Sequence, residues 1–446
     1  QMHLDAGGSV IIFPSGENSL KKQLSDTYPM DPDWKMMVAS LIRQKPDTKI
    51  LPVFVDGSSS EGYHRIKRLR PQFVSDFFVP MFHMREIAHN IDSTFKLAFG
   101  TPYSGTELLQ LFQGKLPNLM EYIRAETHLL RGRLEKNSPA KLEQEQIISP
   151  ISKELLFSEY SKMTLLFSQN KINVYIAKGE EIPHLLNELG RIREKVFRTV
   201  HEGTGKSQDN DKYDIYYHHV VAVDAENGSV LGAYRLGLVD QIIKQQGPQA
   251  LYNTTLFDFI ELLKSEFYYA IELGRSIVDP EAGPKYKRAL DSIWKGIAVF
   301  LSQNPQYTKL IGPVSMSSSY TDISKQLIVR YFLTHHLSRL ANQVIPKIPF
   351  NFNSEVKPEI IQVVDALSDV KQLHRLIKDI EGEGLPPLFM SYGKLGAKYL
   401  SFNVDPPFNS LDGLIVVDLH QAPKEELLKQ FGNEETMNQY LLGIKR

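Results

Sequence analysis

Glu272-Leu273-Gly274-Arg275-Ser276-Ile277-Val278 puts an acid, an arginine and a serine at the close of an apolar strand. A loop bearing Pro280, Gly283 and Pro284 follows, then a helix of three- and four-residue apolar spacing from about 285 to 301. That helix opens with Lys285, Lys287 and Arg288. A helix N-terminus carries about half a positive charge, so each cation there costs roughly 0.3–1 kcal/mol. Free backbone N–H groups converge at the same end and favour an anion. Three cations in that turn fit a bound phosphate; the alternative is three exposed side chains screened by salt. Glu272 with Arg275 is either a working pair or a scaffold ion pair.

More candidates lie upstream. Arg193-x-x-Val196-Phe197 closes a helix, and Glu202-Gly203 follows it. Asp209, Asp211 and Asp214 form an acidic cluster ahead of His218-His219, and Gly232-Ala233-Tyr234-Arg235-Leu236 continues the chain. Asp211 and Asp214 are expected to form an ion-pair network with Arg193, unless they belong to an exposed loop. Strand neighbours face opposite sides, so one of the two histidines points inward, where a satisfied core histidine is the ordinary outcome.

The elements that must hold these residues fall into two halves. Up to about residue 130, short apolar strands at 9–13, 50–55 and 94–99 alternate with helical spacing at 33–44 and 116–131. Residues 132–150 are polar, lack a continuous apolar face and read as a linker. In the second half, strands are expected at 172–177, 220–223, 230–236, 268–273, 310–314 and 414–419. Asn227-Gly228 marks a hairpin. Helices are expected at 182–197, 286–301, 322–335 and 388–395, with a loop at 201–214. The expected domains are 1–131, the linker 132–150, and 151–446, the last a mixed sheet with helices on its faces.

Bulk properties exclude several classes. The 446 residues carry a formal net charge of −1, which points to no polyanionic partner, and the aromatics of 257–267 lie among acids, so nucleic acid is not expected. There is no cysteine, no H-E-x-x-H and no EF-hand pattern, so no metal site is expected. No apolar run nears the roughly 20 residues of a membrane span. Gln1 to Asp5 is mostly polar and Val10–Phe13 is too short for a leader's apolar region, which suits the cytoplasm. The chain starts without methionine and reads as a piece of something longer.

Residues from about 165 to 420 resemble the GNAT-fold, hemolysin-like N-acyltransferases of ornithine-lipid type, and more distantly the acyl-homoserine-lactone synthases. The resemblance rests on Arg193, Phe197, Glu202, Asp211, Asp214, Tyr234-Arg235-Leu236, Glu272-Leu273-Gly274-Arg275-Ser276 and Pro386-Pro387-Leu388. It implies transfer of a long acyl chain from acyl carrier protein to an amino-acid α-amine. The acyl-carrier thioester is then a co-substrate, and no cofactor is permanently bound. An amine attacks a thioester only when neutral, so a nearby carboxylate must take a proton; Glu272 or Glu202 is the candidate base. Arg275 or Arg235 is the candidate fork for the acceptor's carboxylate. Phosphopantetheine would add to a splayed strand edge beside Ser276, with its phosphate at Lys285, Lys287 and Arg288. The competing readings are a lactone synthase and a non-catalytic scaffold binding lipid or carrier protein.

The first half has its own resemblance, through Gly7-Gly8-Ser9-Val10-Ile11-Ile12-Phe13-Pro14-Ser15-Gly16, Asp33-Trp34-Lys35 and Leu51-Pro52-Val53-Phe54-Val55-Asp56-Gly57. These look like the later motifs of glycerolphosphate and lysophospholipid acyltransferases, over roughly residues 4–130. Ser15 stands where that family has glutamate, and its H-x-x-x-x-D motif is absent upstream. The same spacing at His219–Asp224 and His374–Asp379 reads as coincidence. The domain is therefore incomplete, and O-acylation as a second activity would require the natural chain to extend upstream. The cations of His64-Arg65-x-Lys67-Arg68-x-Arg70 suit either an anionic membrane surface, at about 1 kcal/mol each, or the acidic face of a carrier protein. The chain is expected to work peripheral to the inner membrane, in lipid biosynthesis.

Overall fold

Near-continuous burial, with helices on both faces, marks the long central strands of the second half, whose edges and loops carry the site. The computed structural model describes residues 2–17, 19, 31–57, 60, 84–85, 88, 94–135, 144–352, 364–365, 367 and 369–443. Two compact units are present: Gln1–Asn137 with Glu355–Gly384, and Ser138–Ser354 with Leu385–Arg446.

In the first unit the expected strand at 50–55 is two short pieces, Lys49–Ile50 and Val53–Asp56, broken at Pro52. They pair with Tyr103–Ser104 and Lys96–Phe99. Helix Leu116–Leu129 buries Leu119, Tyr122 and Ile123. The expected strand at 9–13 does not form: it pairs with no strand among the described residues, and Ile11 and Phe13 are 88% and 76% exposed. An extended run is a strand only when a partner takes its backbone groups. Helix Val370–Glu381, which the sequence leaves in the second half, packs in this unit, where Thr101 N–H donates to Asp379 (3.1 Å). Arg65 to Arg70 lie outside the described residues.

The second unit is an α/β layer built on an eight-stranded mixed sheet. Its strands are β1 (Thr164–Gln169), β2 (Ile172–Lys178), β3 (His218–Asp224), β4 (Val230–Leu238), β5 (Ala270–Val278), β6 (Lys309–Ser317), β7 (Lys398–Asp405) and β8 (Ser410–Asp418). Their order is β7-β8-β6-β5-β4-β3-β2-β1. All neighbours run antiparallel except β5 and β6, joined through helix α2 (Tyr286–Gln303). Gly228 has φ +72°, as the turn between β3 and β4 requires. Helix α1 (Pro183–Thr199) lies on one face, with Leu185, Leu189 and Ile192 packed on Val221, Val223 and Ala233. Helix α2 covers the other face, where its Gly296 approaches Val174 and Val220.

The central seam opens partway along. β5 and β6 pair only at Ala270–Lys309, Ile271–Leu310 and Glu272–Ile311. A Cβ on Gly312 would stand 2.3 Å from the Leu273 carbonyl oxygen, so glycine permits the last close approach. Beyond it, 273–278 and 312–317 run on without pairing to each other. Pro313, which has no N–H to donate, falls in that unpaired stretch. No helix among the described residues is long and apolar enough to cross a membrane.

Candidate active site

Charged side chains collect on the α1 face beside this opening. Arg193 comes from α1, Arg235 from β4, and Arg275 from β5. The pairing of β5 with β4 shifts register between Gly274 and Ile277, and Arg275 sits at φ +53°. A left-handed residue inside a strand costs an L-amino acid roughly 1–2 kcal/mol. The bulge turns Arg275 toward the residues that Arg235 faces. Its guanidinium lies 5.0 Å from the Tyr252 ring centroid and 4.9 Å from that of Phe408.

The three arginines meet three aspartates from the loop after α1. Arg193 Nη1 donates to Asp214 at 2.7 Å. Arg235 Nη1 donates to Asp211 at 2.7 Å and Asp214 at 3.1 Å. Arg275 Nε lies 2.8 Å from Asp209 Oδ2 without hydrogen-bond alignment, and its Nη2 is 3.5 Å from Asp211. Burial drives the Asp214 carboxyl upward, but Arg193 and Arg235 outweigh it and hold it well below the usual carboxylate range. The expected network therefore exists in an altered form: Arg193 takes Asp214, while Asp211 serves Arg235 and Arg275. His219 is the inward histidine. Arg193 Nη2 can only donate, so His219 Nδ1 accepts (3.3 Å) and Nε2–H donates to the Asp214 carbonyl (2.8 Å). Burial pushes its pKa down to about 3 and keeps it neutral.

The two candidate bases differ. Glu272, 2% exposed, accepts from Tyr217 hydroxyl (2.7 Å) and from the N–H groups of Tyr252 (3.0 Å) and Asn253 (3.2 Å). Burial raises it to about 7, yet its oxygens are engaged in holding the turn at 252–255. Glu202 is half-buried and accepts one side-chain hydrogen bond, from Ser315 of β6 (2.8 Å), in the unpaired stretch. Burial pushes it up to about 7, against smaller opposing pulls from Ser315 and Arg275. A carboxylate of that pKa, reachable and beside the opening, is suited to accept a proton near neutral pH.

Internal aspartates already engage both arginines, Arg235 through Nη1 and Arg275 through Nε and Nη2, so the expected grip on an acceptor carboxylate would compete with a counter-ion in each; Arg235 Nε has no hydrogen-bond partner among the described residues. The Ser276 hydroxyl bonds Tyr234, whose hydroxyl lies 2.5 Å from that of Tyr392. Lys285 is drawn away from the expected phosphate by Asp224 (2.7 Å) and Glu226 (3.0 Å). Lys287 and Arg288 are exposed and have no ion pair among the described residues. In the first unit Phe13 is exposed, while Ser15 is buried and donates to the Glu17 carbonyl (2.8 Å), with Pro14 and Gly16 in the same turn. Neither H-x-x-x-x-D spacing forms a pair. His219 and Asp224 stand about 17 Å apart along a strand, facing opposite sides. His374 and Asp379 are turned about 140° apart around a helix, His374 against Gly384 and Asp379 against Thr101.

Sequence reasoning missed Asp412 and Asp405. Asp412, 4% exposed on β8, pairs in register with Ser315 of β6; burial, with Asp405 and Glu202 nearby, raises it well above the ordinary range. Burial also raises Asp405. The signal was present: Asp412 occupies the parity of Leu414 and Val416, where an apolar residue is expected. No group of three or more His, Asp or Glu suited to a metal ion occurs among the described residues.

The family described as acetyltransferase (GNAT) domain matches residues 192–295, from the end of α1 into α2. A protein named glycine N(alpha)-acyltransferase from Phocaeicola vulgatus is 32% identical over 265 residues, covering 56% of this chain and 81% of that protein. Another of that name from Bacteroides thetaiotaomicron is 33% identical over 265 residues, covering 56% and 78%. No solved structure matches the chain.

Proposed function

The chain belongs to the GNAT acyltransferase family of those two proteins and is an N-acyltransferase; from that premise we propose that it moves a long fatty acyl group from acyl carrier protein to the α-amine of an amino acid, glycine foremost, to make an aminolipid. The thioester arm lies in the opening between β5 and β6, its amides adding to the free strand edge as an extra strand. Lys287 and Arg288 hold its phosphate at the start of α2, without Lys285. The neutral amine attacks the thioester carbonyl, and Glu202 takes the proton released as nitrogen becomes bonded to carbon. Strand-edge N–H groups steady the oxyanion. The carbon–sulfur bond then breaks, and the thiolate takes up the proton. Arg193, Arg235 and Arg275 with their aspartates keep the wall rigid rather than touching the acceptor.

One observation carries this reading: half-buried Glu202, its carboxyl raised by burial to about 7, accepts from Ser315 and from no other side chain among the described residues, beside the stretch where β5 and β6 part. Reaction near a membrane surface is part of the proposal. A second, O-acylating activity is not assigned to the first unit, because Ser15 replaces the expected glutamate. Lipid mass spectrometry of a host expressing the chain tests the reading. An N-acylglycine, or another N-acyl amino acid, should accumulate and vanish in Glu202→Gln; an unchanged lipid profile with well-expressed protein would refute it.

A further inference from the structure

Beyond β7 the sheet edge carries Val344-Ile345-Pro346-Lys347-Ile348-Pro349-Phe350-Asn351-Phe352, a run in which apolar residues, a cation and two prolines interleave. It is pinned to the sheet, with Val404 N–H donating to Ile348 O (2.8 Å), Ile348 N–H to Asn403 Oδ1 (2.7 Å), and Pro349 bridging Asn403. Leu337 bridges Tyr399 on the same edge. Yet large apolar side chains stay outside: Ile345 66%, Phe352 52%, Leu337 50% and Ile348 48% exposed. Large apolar side chains gathered on one sheet edge point to an interaction site.

Its neighbours name the partner's chemistry. Arg339, Lys347 and Lys398 are exposed along the same edge, and none has an ion pair among the described residues. The acids nearby among the described residues are Asp258, in register with Ile345, and Glu266, which is paired to Lys309 and also attracted by Arg339. Pro346 and Pro349 blunt the edge against pairing with a strand of another chain. Apolar side chains flanked by unpaired cations match an anionic bilayer surface, where the former enter the acyl boundary and the latter meet the headgroups.

The register ties this edge to the site. Ser315 pairs with Asp412, Asp412 with Asn403, and Asn403 bridges Pro349, so the four lie in one row across the sheet. Three strand spacings of about 4.8 Å put Pro349 about 14 Å from Ser315, the residue that bonds Glu202. We propose that the edge at 337–352 seats the protein on an anionic lipid surface, placing the acyl-transfer opening within about 14 Å of the bilayer. The docking stands on the edge itself; that it serves release of a lipid product rests on the function proposed above.

The test is flotation of the purified chain with phosphatidylglycerol–phosphatidylcholine vesicles and with phosphatidylcholine alone. Acyl transfer from a water-soluble short-chain thioester is measured in parallel. The chain should float with the anionic vesicles only. At about fivefold per cation, Arg339→Glu with Lys347→Glu should lower partitioning by about 25-fold or more. Ile348→Ser with Phe352→Ser should lower it by at least about tenfold. Short-chain transfer should be unchanged throughout. If the apolar pair fails to fold, the charge pair decides alone. Absence of flotation, flotation of the variants equal to the parent, or an edge that instead joins two copies of the chain would overturn the docking. Loss of short-chain transfer in the parent, with flotation intact, would count against the proposed reaction and not against the surface.

Discussion

Replacing Glu202 with glutamine keeps the side chain's size and its hydrogen bond from Ser315, and removes only the capacity to take a proton. With a pKa of about 7, the ionised fraction of Glu202 rises from about a tenth at pH 6 to about nine-tenths at pH 8. The wild-type rate at a fixed concentration of neutral amine should therefore climb nearly tenfold across that interval. Loss of a general base costs about 10²–10⁴-fold in turnover, so Glu202→Gln should lose that much, and its remaining rate should no longer bend near pH 7. Stability should move the other way. The folded carboxyl holds its proton up to about pH 7, whereas the unfolded chain releases it near 4.5. Stability contributed at low pH is thus lost as pH rises from about 4.5 through 7. At pH 8 the variant should melt higher than the wild type. The assay is thiol release with a disulfide indicator across pH 5.5–9, beside thermal melts at pH 5 and 8. A variant that keeps more than a tenth of the rate with the same bend near pH 7 would refute the role given to Glu202.

Other consequences follow from the same geometry. Asp214→Asn leaves Arg193 and Arg235 without their shared counter-ion, and urea melts at pH 7 should show a loss of about 3–5 kcal/mol. The wild type should lose the Asp214 contribution only as pH falls below the ordinary aspartate range toward its depressed folded value. Reversing Lys287 and Arg288 to glutamate should raise the KM for the acyl-carrier donor about tenfold for each cation reversed, with turnover preserved. Lys285→Ala should leave that KM unchanged, because Asp224 and Glu226 occupy its ammonium. Gly312→Ala pushes a methyl group onto the Leu273 carbonyl. It should cost about 1–3 kcal/mol in thermal or urea melts and alter donor binding, since the strands part just beyond it.

Elements with a strong turn or periodic signal were legible: β3 and β4 around Asn227-Gly228, and the helix at 322–335, form where the sequence places them. Charged residues inside apolar strands, such as Arg235 and Glu272, marked one neighbourhood correctly because burial forces such groups to find partners. Which partner each takes was not legible. Asp209, Asp211 and Asp214 are near neighbours in sequence, and only the folded loop decides which arginine each meets. The bulge at Arg275 was hidden because a left-handed arginine carries no local signature such as glycine would. Asp405 escaped because β7 was not foreseen, and Asp412 because the strand expected at 414–419 begins earlier, at Ser410. Helix 370–381 was assigned to the wrong half because the hydrogen bond that places it, Thr101 with Asp379, spans 278 residues.

The central claim is that the acyl donor's arm occupies the opening between β5 and β6 with its carbonyl beside Glu202. The most direct test is a crystal structure with an acyl-pantetheine thioether that cannot be cleaved. The arm's amides should pair with backbone at 273–278, with its phosphate near Lys287 and Arg288 and its carbonyl carbon within reach of an amine bonded to Glu202. An arm bound elsewhere, or lying in the opening with its carbonyl turned away from Glu202, would contradict the account.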